Sequence, residues 1–314
     1  MSYPPYTITS TALKLVTATS EQLATLSATG ALATDGFSPQ LRKENRIRSI
    51  HASLAIENNT LSLEQVTDII DGKLVVAPFS EIQEVQGAVA AYEKFDTWTP
   101  HSMKDLLTAH GLLMQGLVKN PGKIRDSGVG VFQGSKIVHM APPANMVHGH
   151  LKKLLQWLKN TDEHPLITSC VFHYEFEFIH PFEDGNGRMG RLWQTLILSK
   201  WKPVLAFVPV ETIVRNRQND YYASLRQADA QGEATKFIEY MLMAIHDSIQ
   251  EAITKRQRSD QVGDQVSDQV NRLVQIFGQD EKSAAELMQA LGLKHSTYFR
   301  KNYLAPALNV ELLK

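Results

Sequence analysis

Twelve consecutive residues, His180-Pro181-Phe182-Glu183-Asp184-Gly185-Asn186-Gly187-Arg188-Met189-Gly190-Arg191, limit what this chain can fold into more than any other stretch. They follow an apolar segment, Leu166 to Ile179, that Pro165 opens, and they lead into Leu192-Trp193-Gln194-Thr195-Leu196-Ile197-Leu198. A glycine-rich, charged insert between two such runs reads as a loop that feeds a helix. Gly185 and Gly187 free the backbone to turn its N–H groups toward one point. The helix behind them begins with unpaired N–H groups, so an anion is stabilised there. Phosphate is the natural guest. Arg188 and Arg191, at i and i+3, project from one face of the first turn and can fork onto outer phosphate oxygens. Asp184 can hold Mg²⁺ against the same oxygens, because that ion prefers one or two carboxylates plus phosphate and water. His180, with an ordinary imidazole pKa of about 6.5, can take a proton from an attacking hydroxyl. Together these groups describe nucleotidyl or phosphoryl transfer; scattered, they would make only a capped helix with two solvated arginines.

The run resembles the signature of the Fic family, His-x-Phe-x-(Asp/Glu)-Gly-Asn-Gly-Arg-x-x-Arg, at every specified position. The resemblance implies an all-α fold: a Fic-type helical core with a β-hairpin flap, here followed by a small C-terminal winged-helix-like domain. It implies transfer of AMP from ATP to a Ser, Thr or Tyr hydroxyl of a target protein, and of the chain itself. By the same resemblance His180 is the general base, Phe182 anchors the loop, and Asp184 binds Mg²⁺. Gly185, Asn186 and Gly187 form the anion cradle; Arg188 and Arg191 hold the β- and γ-phosphates, with Met189 and Gly190 completing the ATP-binding stretch. A family variant that phosphorylates carries lysine at the second signature glycine. Gly187 is intact here, which favours AMP transfer.

Upstream, Ile47, Ile50 and Leu54 recur at helical spacing up to Asn58-Asn59, which can end a helix in the left-handed conformation. The segment Ser53-Leu54-Ala55-Ile56-Glu57-Asn58 resembles the family's inhibitory motif, (Ser/Thr)-x-x-x-Glu-(Gly/Asn), and marks an inhibitory helix over 46–58. A carboxylate brought beside Arg191 would make the forked pair that the γ-phosphate needs. At about 4 Å and an effective dielectric near 20 the attraction is about 4 kcal/mol before desolvation is subtracted. That is enough to misplace ATP. Family members also exist in which this glutamate positions a water that removes AMP from the target, so a de-AMPylating enzyme is the alternative reading.

The 314 residues suffice for one large domain plus a small one, and a net charge of −1 offers no global attraction to nucleic acid or membrane. No run reaches the roughly 18 apolar residues of a membrane span, and the N-terminus lacks the layout of a signal peptide, so a cytoplasmic protein is expected. Residues 1–44 form an N-terminal segment with a short helix expected around Glu21 to Leu26. Core helices follow across 61–117, where His110 reads as a structural histidine. Val129–Met140 reads as a hairpin around Gly134-Ser135. Resemblance makes Val131, Phe132, Gln133 and Gly134 the flap on which a target segment docks by main-chain hydrogen bonds; an ordinary surface hairpin is the alternative. Amphipathic Val147–Leu158 comes next, and a single helix is expected from Glu211 to Ala228. Tyr221 and Tyr222 lie on it where the family contacts the nucleoside, though a pair of helical aromatics also suits a core. Asp229 matches a family position, often Asn, that faces the adenine edge.

The family resemblance covers 45–250. Polar, basic 251–259 reads as a linker before a helix-turn-helix or winged-helix-like domain at 260–314. Asp-Gln-Val repeats at Asp260, Asp264 and Asp268 stack Val262, Val266 and Val270 on one face, and Ser283 to Glu286 forms a capping box. DNA binding is weakly supported, because seven acids oppose six bases from 260 to 314. Docking of a protein fits as well. A nucleotide-sensing DNA-binding regulator is therefore a further alternative, and a homo-oligomer is left open.

Overall fold

Helix α7 (Pro165–Ile179) is apolar nearly all round and is buried along most of its length, so the chain must wrap it. Proline at its first turn opens it, and His164 caps it by accepting the Leu166 N–H at 3.2 Å. The computed structural model describes residues 4–28, 37–128, 130–133, 136–277 and 282–309, and among these the fold is helical apart from one short strand pair.

Contacts divide the chain into two units, Met1–Glu251 and Ala252–Lys314. The first contains α1 (Ser10–Ala28), α2 (Pro39–Ile56), α3 (Leu63–Ile70), α4 (Phe79–Lys94), α5 (Met103–Leu113), α6 (Ala144–Asn160), α7, α8 (Asn186–Trp201), α9 (Val210–Asn216) and α10 (Gln218–Gln231). Its core joins Ile50 and Leu54 of α2, Val85 of α4, Leu106 of α5, Leu151 of α6, Phe172 and Phe176 of α7, and Trp193 of α8. Each such burial stabilises by about 1.5–3 kcal/mol. The Trp193 indole N–H finds the Pro100 carbonyl at 2.8 Å, so its burial leaves no donor unpaired. The strands β1 (Gly130–Gln133) and β2 (Lys136–Met140) pair antiparallel, Gly130 opposite Met140 and Gln133 opposite Lys136. Gly134 lies outside the described residues. No helix among the described residues is long and apolar enough to cross a membrane.

Two expectations need correction. The N-terminal helix starts at Ser10 rather than near Glu21. Its threonines and valine disfavour a helix locally, but Thr9 Oγ1 caps the Ala12 N–H at 3.1 Å, and Ala12, Thr19 and Leu23 are buried. The helix expected from Glu211 to Ala228 is two helices, broken at Arg217 (φ −118°, ψ 38°). There the guanidinium pairs with Asp247 at 2.7 Å, a partner thirty residues on that local periodicity does not disclose.

Helix α11 (Thr235–Phe277) begins in the first unit and ends in the second, so residues 251–259 are helical. The second unit has its own small core: Val270, Leu273, Leu287, Phe299, Tyr303 and Ala307. Helix α12 (Ala284–Ala290) begins with the expected Ser283–Glu286 capping box, and Gly292 turns the chain at φ 69°. Then α13 (Ser296–Phe299), a π-helical turn (Arg300–Leu304) and α14 (Ala305–Asn309) follow without a break.

Candidate active site

The end of α7 delivers the proton acceptor. His180 takes left-handed backbone angles (φ 47°, ψ 63°), which stop the helix, and its N–H bonds Phe176 O at 2.9 Å. Its Nδ1 lies 3.3 Å from the carbonyl oxygen of Glu177. A carbonyl only accepts, so this contact places the ring proton on Nδ1 and leaves Nε2 as the lone-pair nitrogen. A non-glycine residue at positive φ costs about 1–2 kcal/mol, so something must hold it. Arg125 does. It is 6% exposed, and its guanidinium donates to His180 O at 2.7 Å, Ser127 O at 2.7 Å and Pro142 O at 2.6 Å. Its own N–H bonds Pro181 O at 3.0 Å. One side chain thus ties the histidine turn to the residues that flank the hairpin.

The loop beyond is anchored from below. Phe182 is fully buried and stacks on His110, with centroids 3.6 Å apart and planes 7° from parallel. His110 Nδ1 accepts the Gly122 N–H at 2.8 Å, so Nε2 carries the proton and donates to Asp184 O at 3.0 Å. Burial pushes the His110 pKa down to about 4, which keeps it neutral. It is a structural histidine, as expected, and the structure it serves is the signature loop. Asn186 uses both ends of its amide to bind Phe182 N–H and Phe182 O, at 2.9 and 3.0 Å. It braces the turn through its side chain.

The two arginines part company. Arg191 is 3% exposed and donates from Nε to Ser53 Oγ and from Nη2 to Ser53 O, each at 3.0 Å. Nη2 also meets Glu57 Oε1 at 2.7 Å. Burial acts to lower the Arg191 pKa, but Glu57 and the anionic surroundings outweigh it and hold the group above its usual range. Glu57 lies against Gly187, where an added methyl group would collide with its Oε1. Arg188 instead binds Glu84 Oε1 of α4 at 2.9 Å and Asp184 Oδ2 at 3.1 Å. Met189 is in the core, and Gly190 packs against Glu177 and His173.

A cleft of about 720 Å³, counting the part open to solvent, brings Glu57, His180, Gly187 and Arg191 together with Tyr221, Tyr222 and Asp229. Tyr221 is buried, its hydroxyl 3.2 Å from His173 Nε2. Gln218 donates to Ile56 O at 3.0 Å, with the Tyr222 hydroxyl 3.5 Å from the same oxygen, so α10 meets the end of α2. Asp229 accepts from the Tyr174 hydroxyl at 2.9 Å. His173 thus braces α10 through Tyr221 and α8 through Gln194, whose Oε1 lies 2.8 Å from its Nδ1, and Tyr174 braces α10 through Asp229. Sequence reasoning missed Glu177, Phe178, Leu225 and Arg226, which also line the cleft. Glu177 was within reach of it, three residues ahead of His180 and four after His173.

Among the described residues no group of three or more His, Cys, Asp or Glu could cage a metal. Asp184 offers one carboxylate at the loop, 62% exposed, beside the start of α8. That donor set suits Mg²⁺ arriving with phosphate oxygens and water, and does not suit a metal held by protein alone.

The scaffold is helical apart from one strand pair, and its cleft joins a glycine turn at a helix start, a buried arginine and an imidazole, a set of groups able to hold an anion. Comparison places the chain more closely. Residues 100–198 match the Fic/DOC family, and 268–314 match the C-terminal domain of Fic-like (filamentation induced by cAMP) proteins. A Fic family protein from Desulfovibrio desulfuricans G20 is 54% identical, with a TM-score of 0.80 over 99% of this chain and 92% of that one. Fic-1 from Caenorhabditis elegans superposes with a TM-score of 0.62 at 26% identity, covering 79% of this chain and 76% of that one. Protein adenylyltransferase fic-1 of Caenorhabditis briggsae is 32% identical over 228 residues, 68% of this chain and 42% of that protein. The chain thus spans about two fifths of the curated relatives it matches. It belongs to the Fic family.

Proposed function

We propose that this chain is a protein adenylyltransferase: it transfers AMP from ATP to a hydroxyl of a target protein, and of itself, and Glu57 restrains it. The observation that carries the reading is the Glu57 carboxylate on Arg191 and over Gly187, inside the cleft that His180 also lines. An acidic side chain seated on a guanidinium and a glycine turn occupies a place suited to a phosphate. The curated relatives' name, protein adenylyltransferase, supports the same chemistry.

In this reading His180 Nε2 takes the hydroxyl proton, the hydroxyl oxygen bonds to the α-phosphorus, and the bond to the bridging oxygen breaks as pyrophosphate leaves. Bound Mg²⁺ would neutralise charge developing on the phosphate oxygens, and Asp184 is the residue that would hold it. Gly185 and Gly187 turn N–H groups toward the phosphates, and Arg191 receives the terminal one once Glu57 withdraws. Arg188 holds Asp184 in place through its ion pair and turns to the phosphates only by leaving Glu84. Tyr221, Tyr222 and Asp229 bound the nucleoside end.

Residues 45–250 act as the catalytic core, α2 carrying the inhibitory segment 46–58. The β1–β2 hairpin serves as the flap: a target segment pairs with its edge through main-chain hydrogen bonds, which position a hydroxyl and read little of its sequence. The C-terminal unit, winged-helix-like in its two helices and glycine turn, then selects the target.

The test is incubation of wild type, Glu57→Gly, His180→Ala and the double variant with labelled ATP in a lysate, followed by mass spectrometry. AMP on Ser, Thr or Tyr in the Glu57→Gly sample, absent from the double variant, is the expected result. No AMP on any protein would refute the assignment.

A further inference from the structure

Glu177 stands on the last turn of α7, three residues ahead of His180, and both line the cleft. That spacing brings side chains together on a helix. Here the His180 ring also folds back over residue 177, its Nδ1 3.3 Å from the Glu177 carbonyl oxygen. The Glu177 side chain is 13% exposed. Its Oε1 is buried, and His173 Nε2, at 3.6 Å, stays beyond hydrogen-bond length. Gly190 makes the room: a Cβ there would lie 2.6 Å from the same oxygen.

A carboxylate desolvated without its full set of hydrogen bonds costs stability, and one set beside a polyphosphate site also repels the substrate. Charge of opposite sign offsets both costs. Burial acts to raise the Glu177 pKa, but His173, His180 and Arg191 outweigh it and hold the group below the usual carboxylate range, so it is ionised at neutral pH. When Nε2 of His180 takes a proton the ring gains a positive charge, and a fixed anion one helical turn away stabilises that form. The other charges around the cleft do not supply this. Arg191 on α8 and Arg125, which holds the His180 carbonyl, disfavour a further positive charge. Glu57 on α2 is committed to Arg191 and withdraws in the proposed reaction. Asp184 in the loop pairs with Arg188. On α10, Arg226 and Asp229 bear opposite charges, and burial pushes the Tyr221 and Tyr222 phenols up, which keeps both neutral.

We infer that Glu177 is a positioning residue of the transfer step: its carboxylate acts through His180, stabilising the imidazolium that forms as Nε2 accepts the target's proton. The inference rests on the adenylyl-transfer reading and gives its base a second group. The target oxygen bonds to the α-phosphorus, the electron pair of the broken bond leaves with pyrophosphate, and the hydroxyl proton stays on Nε2. Glu177 remains ionised throughout and takes no proton.

An NMR titration of the imidazole C–H groups tests this on the full chain carrying Glu57→Gly, with the His180 signal assigned by its loss in His180→Ala. Glu177→Gln added to that background keeps the size of the side chain and removes its charge. The His180 pKa should fall by about one pH unit. The acid limb of self-labelling with labelled ATP should move to lower pH by the same amount, because the base works deprotonated. On the plateau kcat should fall about threefold to tenfold, while calorimetry should find the Kd for ATP within about twofold or tighter. Glu177→Asp keeps a charge and should move the pKa less than Glu177→Gln does. Equal shifts in the two variants overturn the inference, as does a loss of ATP binding and labelling with the His180 pKa unmoved, the mark of a merely structural residue. Transfer without the pKa shift fails this inference alone. A shifted pKa with no transfer by any variant fails the adenylyl-transfer reading and leaves the coupling of Glu177 to His180.

Discussion

Glu57 Oε1 lies 2.7 Å from Arg191 Nη2 across 134 residues of sequence, with the Arg191 side chain 2% and the Glu57 side chain 30% exposed. The pair is asymmetric: the buried guanidinium keeps Ser53 as a second partner, whereas Glu57, the last residue of its helix turn, can swing out at modest cost. Removing the carboxylate should therefore leave Arg191 in place and open to phosphate. Glu57→Gly is expected to raise AMP transfer severalfold or more, measured as self-labelling with labelled ATP. Equal rates for the variant and wild type at saturating ATP would refute inhibition by this residue. ATP should also raise the Tm of the variant more than that of wild type, because only a bound ligand stabilises by mass action.

Arg125 holds His180 by donating to its carbonyl and to those of Ser127 and Pro142. Arg125→Lys keeps the charge and loses the planar fork. Transfer by the Glu57→Gly background should fall about tenfold or more in kcat, with KM for ATP within about threefold, since a misplaced base harms the transition state rather than ground-state binding. A change in KM alone would show that Arg125 does not position His180.

Phe182 fills the space over His110, fully buried. Phe182→Ala should destabilise the first unit by about 3–5 kcal/mol through lost burial and an unfilled cavity. Urea denaturation followed by circular dichroism measures it, and a loss below about 1 kcal/mol would mean that the loop does not depend on this anchor.

His110 makes stability depend on pH. Its folded pKa, pushed down to about 4 by burial, lies below the unfolded value of about 6.5. The unfolded chain therefore binds the proton first. The stabilising contribution is fully present above about pH 6.5 and is lost as pH falls toward 4, in all on the order of 3 kcal/mol. The fall in Tm from pH 7 to pH 4.5 should be smaller in His110→Gln than in wild type. Parallel pH profiles would assign the acid sensitivity to other groups.

Much of the site was legible because its chemistry is contiguous. Spacing within His180–Arg191 is enough to place a proton acceptor, a glycine turn and two cations around one helix start, since local backbone geometry scarcely depends on the rest of the fold. The left-handed Asn58 just past the end of α2 was readable in the same way. Spacing misled where a long side chain had a choice. Arg188 and Arg191 start on one face, but Glu84, a hundred and four residues away, draws the first aside.

Sequence alone therefore determined the helical class, the loop, and through a motif the partner of Arg191. Only the tertiary structure decided that Arg125 clamps the histidine, that His110 carries the loop from beneath, that the helix after Glu211 breaks at Arg217, and that Glu177 and Arg226 line the cleft. Most of those facts are contacts between residues distant in sequence. Such contacts are chosen by which buried groups find partners once the core has packed, and a linear spacing of residues does not contain that choice.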